Sequence, residues 1–220
     1  SRTDFLTPRG RKQIRELVQC GWTLRDQWPR TSASAVQSWL GRRLYLVRIH
    51  CLNESQRISS VVSSQLGRHH RRLPHWPQLL DWALRILHRD RSLLLTIPNT
   101  TLYRPSVHFA KASQIPTMEI SIAKRPVGDA EQISHWLVTQ LRFIMNQSDE
   151  VLWSAPLFVS PAWHTDPPAI ELEGFPIRDR AAISLADRVL VVSVRNEGNI
   201  AGLVDRRLQD DRFPVGSVFI

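Results

Sequence analysis

The chain has 220 residues, 42% of them hydrophobic, and a formal net charge of +9. That is enough chain for one substantial core, and no run approaches the ~18 consecutive apolar residues of a membrane span. Cys20 and Cys51 are too few for a disulfide framework and lack metal-like Cys/His spacing, and the N-terminus has no basic-then-apolar signal pattern; a cytoplasmic protein without metal, cofactor or membrane is expected.

Along the chain, residues 8–20 open with Pro8 and carry Ile14, Leu17 and Val18 at helical spacing. A stretch with Trp22, Trp28 and Pro29 follows, then a short helix at 33–40. These first 42 residues read as a helical extension packed on a main domain at 43–220. In the main domain, 43–52 is β-rich, 53–55 a polar loop, and 56–67 has a helical pattern closed by Gly67. The basic tract 68–72 precedes an amphipathic helix at 77–89. Next come a buried strand at 92–98, a polar loop at 99–101, a helix at about 105–113, a strand at 117–123 and a long helix at 129–146. A short strand at 157–160 leads into a Pro-rich loop, 161–176, and a helix at 178–186. Residues 188–194 (RVLVVSV) form a near-continuous apolar strand of the kind buried on both faces of a parallel sheet. A loop at 196–199, a helix at 200–209 and a strand at 215–220 close the chain. This alternation predicts an α/β fold: a Rossmann-like three-layer sandwich with a mostly parallel sheet and helices on both faces.

The segment Phe175-Pro176-Ile177-Arg178-Asp179-Arg180, followed by Leu185-Ala186-Asp187 and Val189-Leu190-Val191-Val192, resembles the F-P-x-R-N-R…L-S-D…V-(L/V)-V-V signature of the DNA-processing protein A (DprA/Smf) family, without a gap. That family lies within the Rossmann-like nucleotide-binding (SLOG, lysine decarboxylase-like) superfamily. The resemblance implies a nucleotide-binding frame, with Gly198-Asn199 near the family's last Gly-Ser loop. The family's Gly-Ser-Arg is matched here to Cys51-Leu52-Asn53-Glu54-Ser55, and its Gly-x-Asp loop to Pro98-Asn99-Thr100-Thr101.

Ligands of open parallel sheets sit at the carboxyl ends of the strands, so the loops expected to matter are 53–55, 99–101, 161–176 and 196–199. Arg178 and Arg180 open a helix there and are candidates to hold a phosphate bidentately; the alternative is that one pairs with Asp179, Asp187 or Glu173 and braces the fold. Asn99, Thr100 and Thr101 offer short polar groups for a phosphate or ribose, or form a turn. Gly198 and Asn199 allow close backbone approach, or simply enter a helix. His164 and Asp166 have no nucleophile beside them and read as loop residues; His69 and His70 lack further ligands for a metal. Trp82 and Trp136 read as packing, and Trp76, beside the basic tract, as packing or a stacking platform.

Charge bears on the partner. Residues 1–91 hold 17 Arg and Lys against 6 Asp and Glu, and residues 92–220 hold 12 against 14. The basic half suits a nucleic acid, although 26 of the 29 basic residues are Arg, which equally suits a coding bias. Three functions follow: non-catalytic binding of a nucleotide, another phosphorylated ligand or nucleic acid; a phosphoribohydrolase-type enzyme, against which stands the absence of a Pro-Gly-Gly-x-Gly-Thr-x-x-Glu loop; and a ligand-free structural or regulatory domain, acting alone or as a homodimer. The first is favoured.

Overall fold

Eight strands form one sheet in the order β1-β2-β6-β5-β4-β3-β7-β8. The computed structural model describes residues 7–52, 56–64, 75–100, 102–124, 129–145 and 154–219. The strands are β1 (Trp22–Arg25), β2 (Tyr45–Arg48), β3 (Ile58–Ser63), β4 (Leu93–Thr96), β5 (Thr117–Ile122), β6 (Ser154–Val159), β7 (Arg188–Ser193) and β8 (Val218–Phe219). The helices are α1 (Pro8–Gln19), α2 (Ala33–Leu40), α3 (Trp76–Arg89), α4 (Tyr103–Ala112), α5 (Ala130–Met145), α6 (Ile177–Ser184) and α7 (Asn199–Gln209). From β6 to β8 all neighbours are parallel, whereas β2 pairs antiparallel with β6, and β1 with β2. The fold is a Rossmann-like α/β three-layer sandwich, and no described helix is long and apolar enough to cross a membrane.

The alternation of side chains along the strands sorts the helices into layers. Ile58, Val62, Leu93, Leu95, Val189 and Val191 point to one face, where α2, α6 and α7 contribute Trp39, Ala181, Ile183 and Leu203. Leu94, Leu190 and Val192 point to the other, beneath Leu80, Leu84 and Leu87 of α3 and Ala110 of α4. On that second face, Leu46 and Phe158 meet Leu17 of α1 and Ile133 and Leu137 of α5.

Two strand expectations change. The helical pattern at 56–67 gives β3 instead, the first parallel strand, at the centre of the sheet. Ile58, Val61 and Val62 fit helical spacing, but a central strand is apolar or small on both faces, and Ser59 and Ser60 are the small residues that pass for a polar helix side. The 43–52 segment supplies β2, which runs against β6, so its end at Arg48 lies at the amino edge of the parallel strands. Its end and the start of β3 thus both lie away from the carboxyl edge; the 53–55 loop lies outside the described residues. The tract 68–72 and Thr101 also lie outside the described residues.

Residues 1–42 do more than pack as helices. They contribute β1 to the sheet and place donors on the buried end of α6. The last carbonyls of a helix have no intrahelical partner. Here Thr31 donates to Ser184, Trp28 Nε1 to Leu185 (3.0 Å), and Arg207 of α7 to Ile183, Ala186 (2.9 Å) and Asp187 (3.3 Å). Arg207 is 2% exposed, and its guanidinium lies 4.3 Å from the Phe213 ring centroid. Burial pulls its pKa down to about 10, so it remains a cation at neutral pH. Asp187 then aligns the two central strands: its N–H donates to the carbonyl of Ile58, its carboxylate accepts from the N–H of Ile58 (2.8 Å), and it pairs with Arg30 (3.1 Å).

Replacing Arg207 leaves buried carbonyls without donors, each costing ~1–3 kcal/mol. Arg207→Met is expected to destabilise the fold by about 3 kcal/mol on that basis. Urea denaturation measures it, and a loss well under 1 kcal/mol would remove the stapling role.

Candidate functional site

A crevice of about 250 Å³ opens at the carboxyl ends of β3, β4 and β7. Its position follows from topology. The chain leaves β3 towards β4 on one side, β7 lies on the other, and α3 and α7 cover opposite faces. Strand order therefore reverses here, and the connecting segments part to leave a cleft. Between Val62 and Ser63 the pairing of β3 with β7 shifts register, a device that re-aims side chains. Just beyond, Ser64 accepts a hydrogen bond through Oγ from the N–H of Arg195 (3.0 Å), tying the two strand ends together.

Three helices start at this crevice, as right-handed parallel crossovers require: α4, α6 and α7. None has a side-chain N-cap hydrogen bond, and each brings its positive dipole end to this edge, although the N–H groups of Tyr103 and Asp179 are taken by the carbonyls of Thr100 and Pro176. Gly198, which precedes α7, packs close to β3: a Cβ there would lie 3.0 Å from the Arg195 carbonyl and 3.3 Å from Ser64 Oγ. Its role is close approach, since its φ of −84° is open to any residue.

Arg178, Thr100, Gly198 and Asn199 all line the crevice. Arg180 does not. Successive helical residues project about 100° apart, so two positions along a helix turns a side chain about 200° away. Arg178, Asp179 and Ala182 accordingly line the cleft, while Arg180 is 6% exposed and donates to the Trp39 carbonyl of α2 (2.9 Å). Asn99 is exposed outside the lining, in a left-handed conformation (φ 63°) that Asn tolerates better than most residues. Thr100 spends its hydroxyl on the Ile97 carbonyl (3.0 Å), closing the same turn. In the 161–176 loop, Asp166 accepts from Gln37 (2.8 Å) and its carbonyl from the N–H of Arg42, so it anchors the loop to α2, and His164 is exposed. Among the described residues, no group of three His, Cys, Asp or Glu is placed to hold a metal.

Among the lining residues not selected as ligand contacts from the sequence are Arg195, Tyr103, Ser106 and Asp179, the last expected only as a partner for an arginine. Arg195 directly follows the 188–194 strand, so its place at a carboxyl end was the available signal. Tyr103 donates to Glu119 (2.6 Å), and that bond, with burial, raises the phenol to about 12. Ser106 is 3% exposed and its Oγ has no hydrogen-bond partner among the described residues. Arg178, Arg195 and Asp179 make no side-chain hydrogen bond to any described residue, and burial pushes the Asp179 carboxyl above the usual carboxylate range while Arg178 opposes the rise.

A carboxyl raised in the folded state favours folding while it is protonated, and that contribution is lost as pH rises through its folded pKa. Asp179→Asn removes this loss, so the variant is expected to melt higher than the parent at pH 7 and with it on the acid side of about 3.9. Thermal melts at both pH values check the pattern; a gap of constant size would contradict it.

No protein-family model, curated protein or solved structure matches the chain.

Proposed function

We propose that the chain is a cytoplasmic, DprA-like Rossmann-fold protein that binds a nucleotide-sized phosphorylated ligand without turning it over. The observation that carries this reading is a cleft at the strand-order reversal where the guanidinium groups of Arg178 and Arg195 make no hydrogen bond to a described residue, beside the starts of α6 and α7. Guanidinium groups and free backbone N–H groups converging on one space suit a phosphate. The cleft's volume of about 250 Å³ falls just below the ~300–1,000 Å³ of small-molecule sites, which favours a mononucleotide over a dinucleotide. The DprA-like assignment draws on the same segment: Arg178 faces the cleft, and Asp187 docks β7 on β3. Binding without turnover is the reading because Asp179 is the only carboxyl, and no histidine is present, among the described residues lining the cleft.

A polynucleotide is the second reading, favoured by α1, where Arg9, Arg11, Lys12 and Arg15 are exposed. Calorimetric titration with nucleoside 5′-monophosphates and with a single-stranded oligonucleotide separates the two. Monophosphates are expected to bind, Arg178→Ala to weaken them at least about tenfold without lowering the melting temperature, and Arg180→Met to lower the melting temperature instead, since a charge-assisted hydrogen bond is worth ~1.5–3 kcal/mol. Binding by the oligonucleotide alone, falling steeply with salt, would move the function to the basic surface. Release of free base on incubation with the monophosphates would replace binding by catalysis.

A further inference from the structure

The cleft holds more than an anion site. Most of its polar side chains are already satisfied: Thr96 donates to Met118, Thr100 to Ile97 and Tyr103 to Glu119, and Ser64 accepts from Arg195. Beside the exposed Asn199, four lining side chains are left over among the described residues: the guanidinium groups of Arg178 and Arg195, the carboxyl of Asp179 and the buried hydroxyl of Ser106. A phosphate accounts for the cations and is repelled by the carboxylate. A ligand that uses all four must therefore also carry hydrogen-bond donors, placed beside its phosphate.

Placement narrows the donor. Asp179 follows Arg178 directly in the first turn of α6, and both reach the same cleft. Its carboxyl therefore opens on the same space as the Arg178 guanidinium, and the group next to the phosphate is the part of the ligand it would meet. A carboxylate presents two acceptor oxygens and no donor, which matches a pair of adjacent hydroxyls. Ser106 enters from α4, across the cleft, with an Oγ that has no partner among the described residues. A buried hydroxyl without a partner costs free energy in the empty protein, and a ligand atom that satisfies it recovers that cost on binding.

Resting on the phosphate reading above, we infer that Asp179 and Ser106 select a ribose-phosphate ligand, Asp179 accepting hydrogen bonds from the vicinal hydroxyls while Arg178 and Arg195 hold the phosphate. The ligand class is a ribonucleoside monophosphate, distinguished from its 2′-deoxy counterpart by the hydroxyl that Asp179 reads. A site built to bond a hydroxyl discriminates against the analogue that lacks it, because its own polar group is left unpaired.

The test is calorimetric titration of the full chain with three probes: inorganic phosphate, a ribonucleoside 5′-monophosphate and the matching 2′-deoxynucleotide. The parent protein is expected to bind the ribonucleotide about tenfold more tightly than the deoxynucleotide. Asp179→Asn should tighten inorganic phosphate several-fold by removing a like charge, and should erase the preference for ribose. Ser106→Ala should weaken the ribonucleotide and leave inorganic phosphate unchanged. Equal affinity of the parent for the two nucleotides overturns the inference and needs no variant to be seen; so does an Asp179→Asn protein that loses phosphate and nucleotide alike. If none of the three probes binds, the phosphate reading fails, and the selectivity falls with it.

Discussion

The buried end of α6 governs the rest of the molecule. Five consecutive carbonyls, from Ile183 to Asp187, sit inside the protein at the end of a helix, where no later turn supplies N–H groups. Water cannot serve them, so side chains must. Arg207 reaches three of them from α7, and Trp28 and Thr31 reach the other two from the N-terminal segment. The segment that carries Trp28 and Thr31 is thereby part of the hydrogen bonding of the core, and it is fixed together with α6 and α7.

The opposite end of the same helix faces the crevice. Once the carbonyl end is held, the first turn of α6 has a set direction, and Arg178 and Asp179 have a set place at the crevice. Asp187, two residues beyond the C-cap of α6 at Leu185, carries this rigidity into the sheet by bonding the start of β3. Of the two strands so aligned, β3 lends Val61, Val62 and Ser63 to the lining of the cleft and β7 leads into Arg195. A short helix thus couples the stability of the core to the geometry of the site.

Arginine serves two purposes in this chain, and the environment separates them. Arg43, Arg180 and Arg207 are buried and donate to backbone carbonyls: Arg43 to Leu40 (2.7 Å), Ala123 (3.0 Å) and Ser160, Arg180 to Trp39, and Arg207 to the end of α6. Desolvation lowers the pKa of each, to about 10 for Arg43 and Arg207. A planar guanidinium with five N–H donors suits this work, because one side chain can satisfy several carbonyls that point in different directions. Arg178 and Arg195 keep their donors for the cleft. A count of basic residues therefore overstates the charge available to a polyanion.

The sequence by itself determined the alternation of strands and helices, the buried character of β7, the segment containing Arg178, and the turn before α7, because these depend on local periodicity and on glycine and proline punctuation. It also held the reason that Arg178 and Arg180 part company, since two helical positions lie on opposite sides of the axis. Tertiary structure alone decided the rest. The character of β3 was hidden because a strand covered on both faces shows no alternation, and its serines imitate a helix's polar side. The direction of β2 depended on which edge it joins, and the polar residues of the cleft come from segments as far apart as Ser64, Ser106, Asp179 and Arg195. Only the order of strands in the sheet brings those together, and strand order is set by long-range packing that leaves no local mark on the chain.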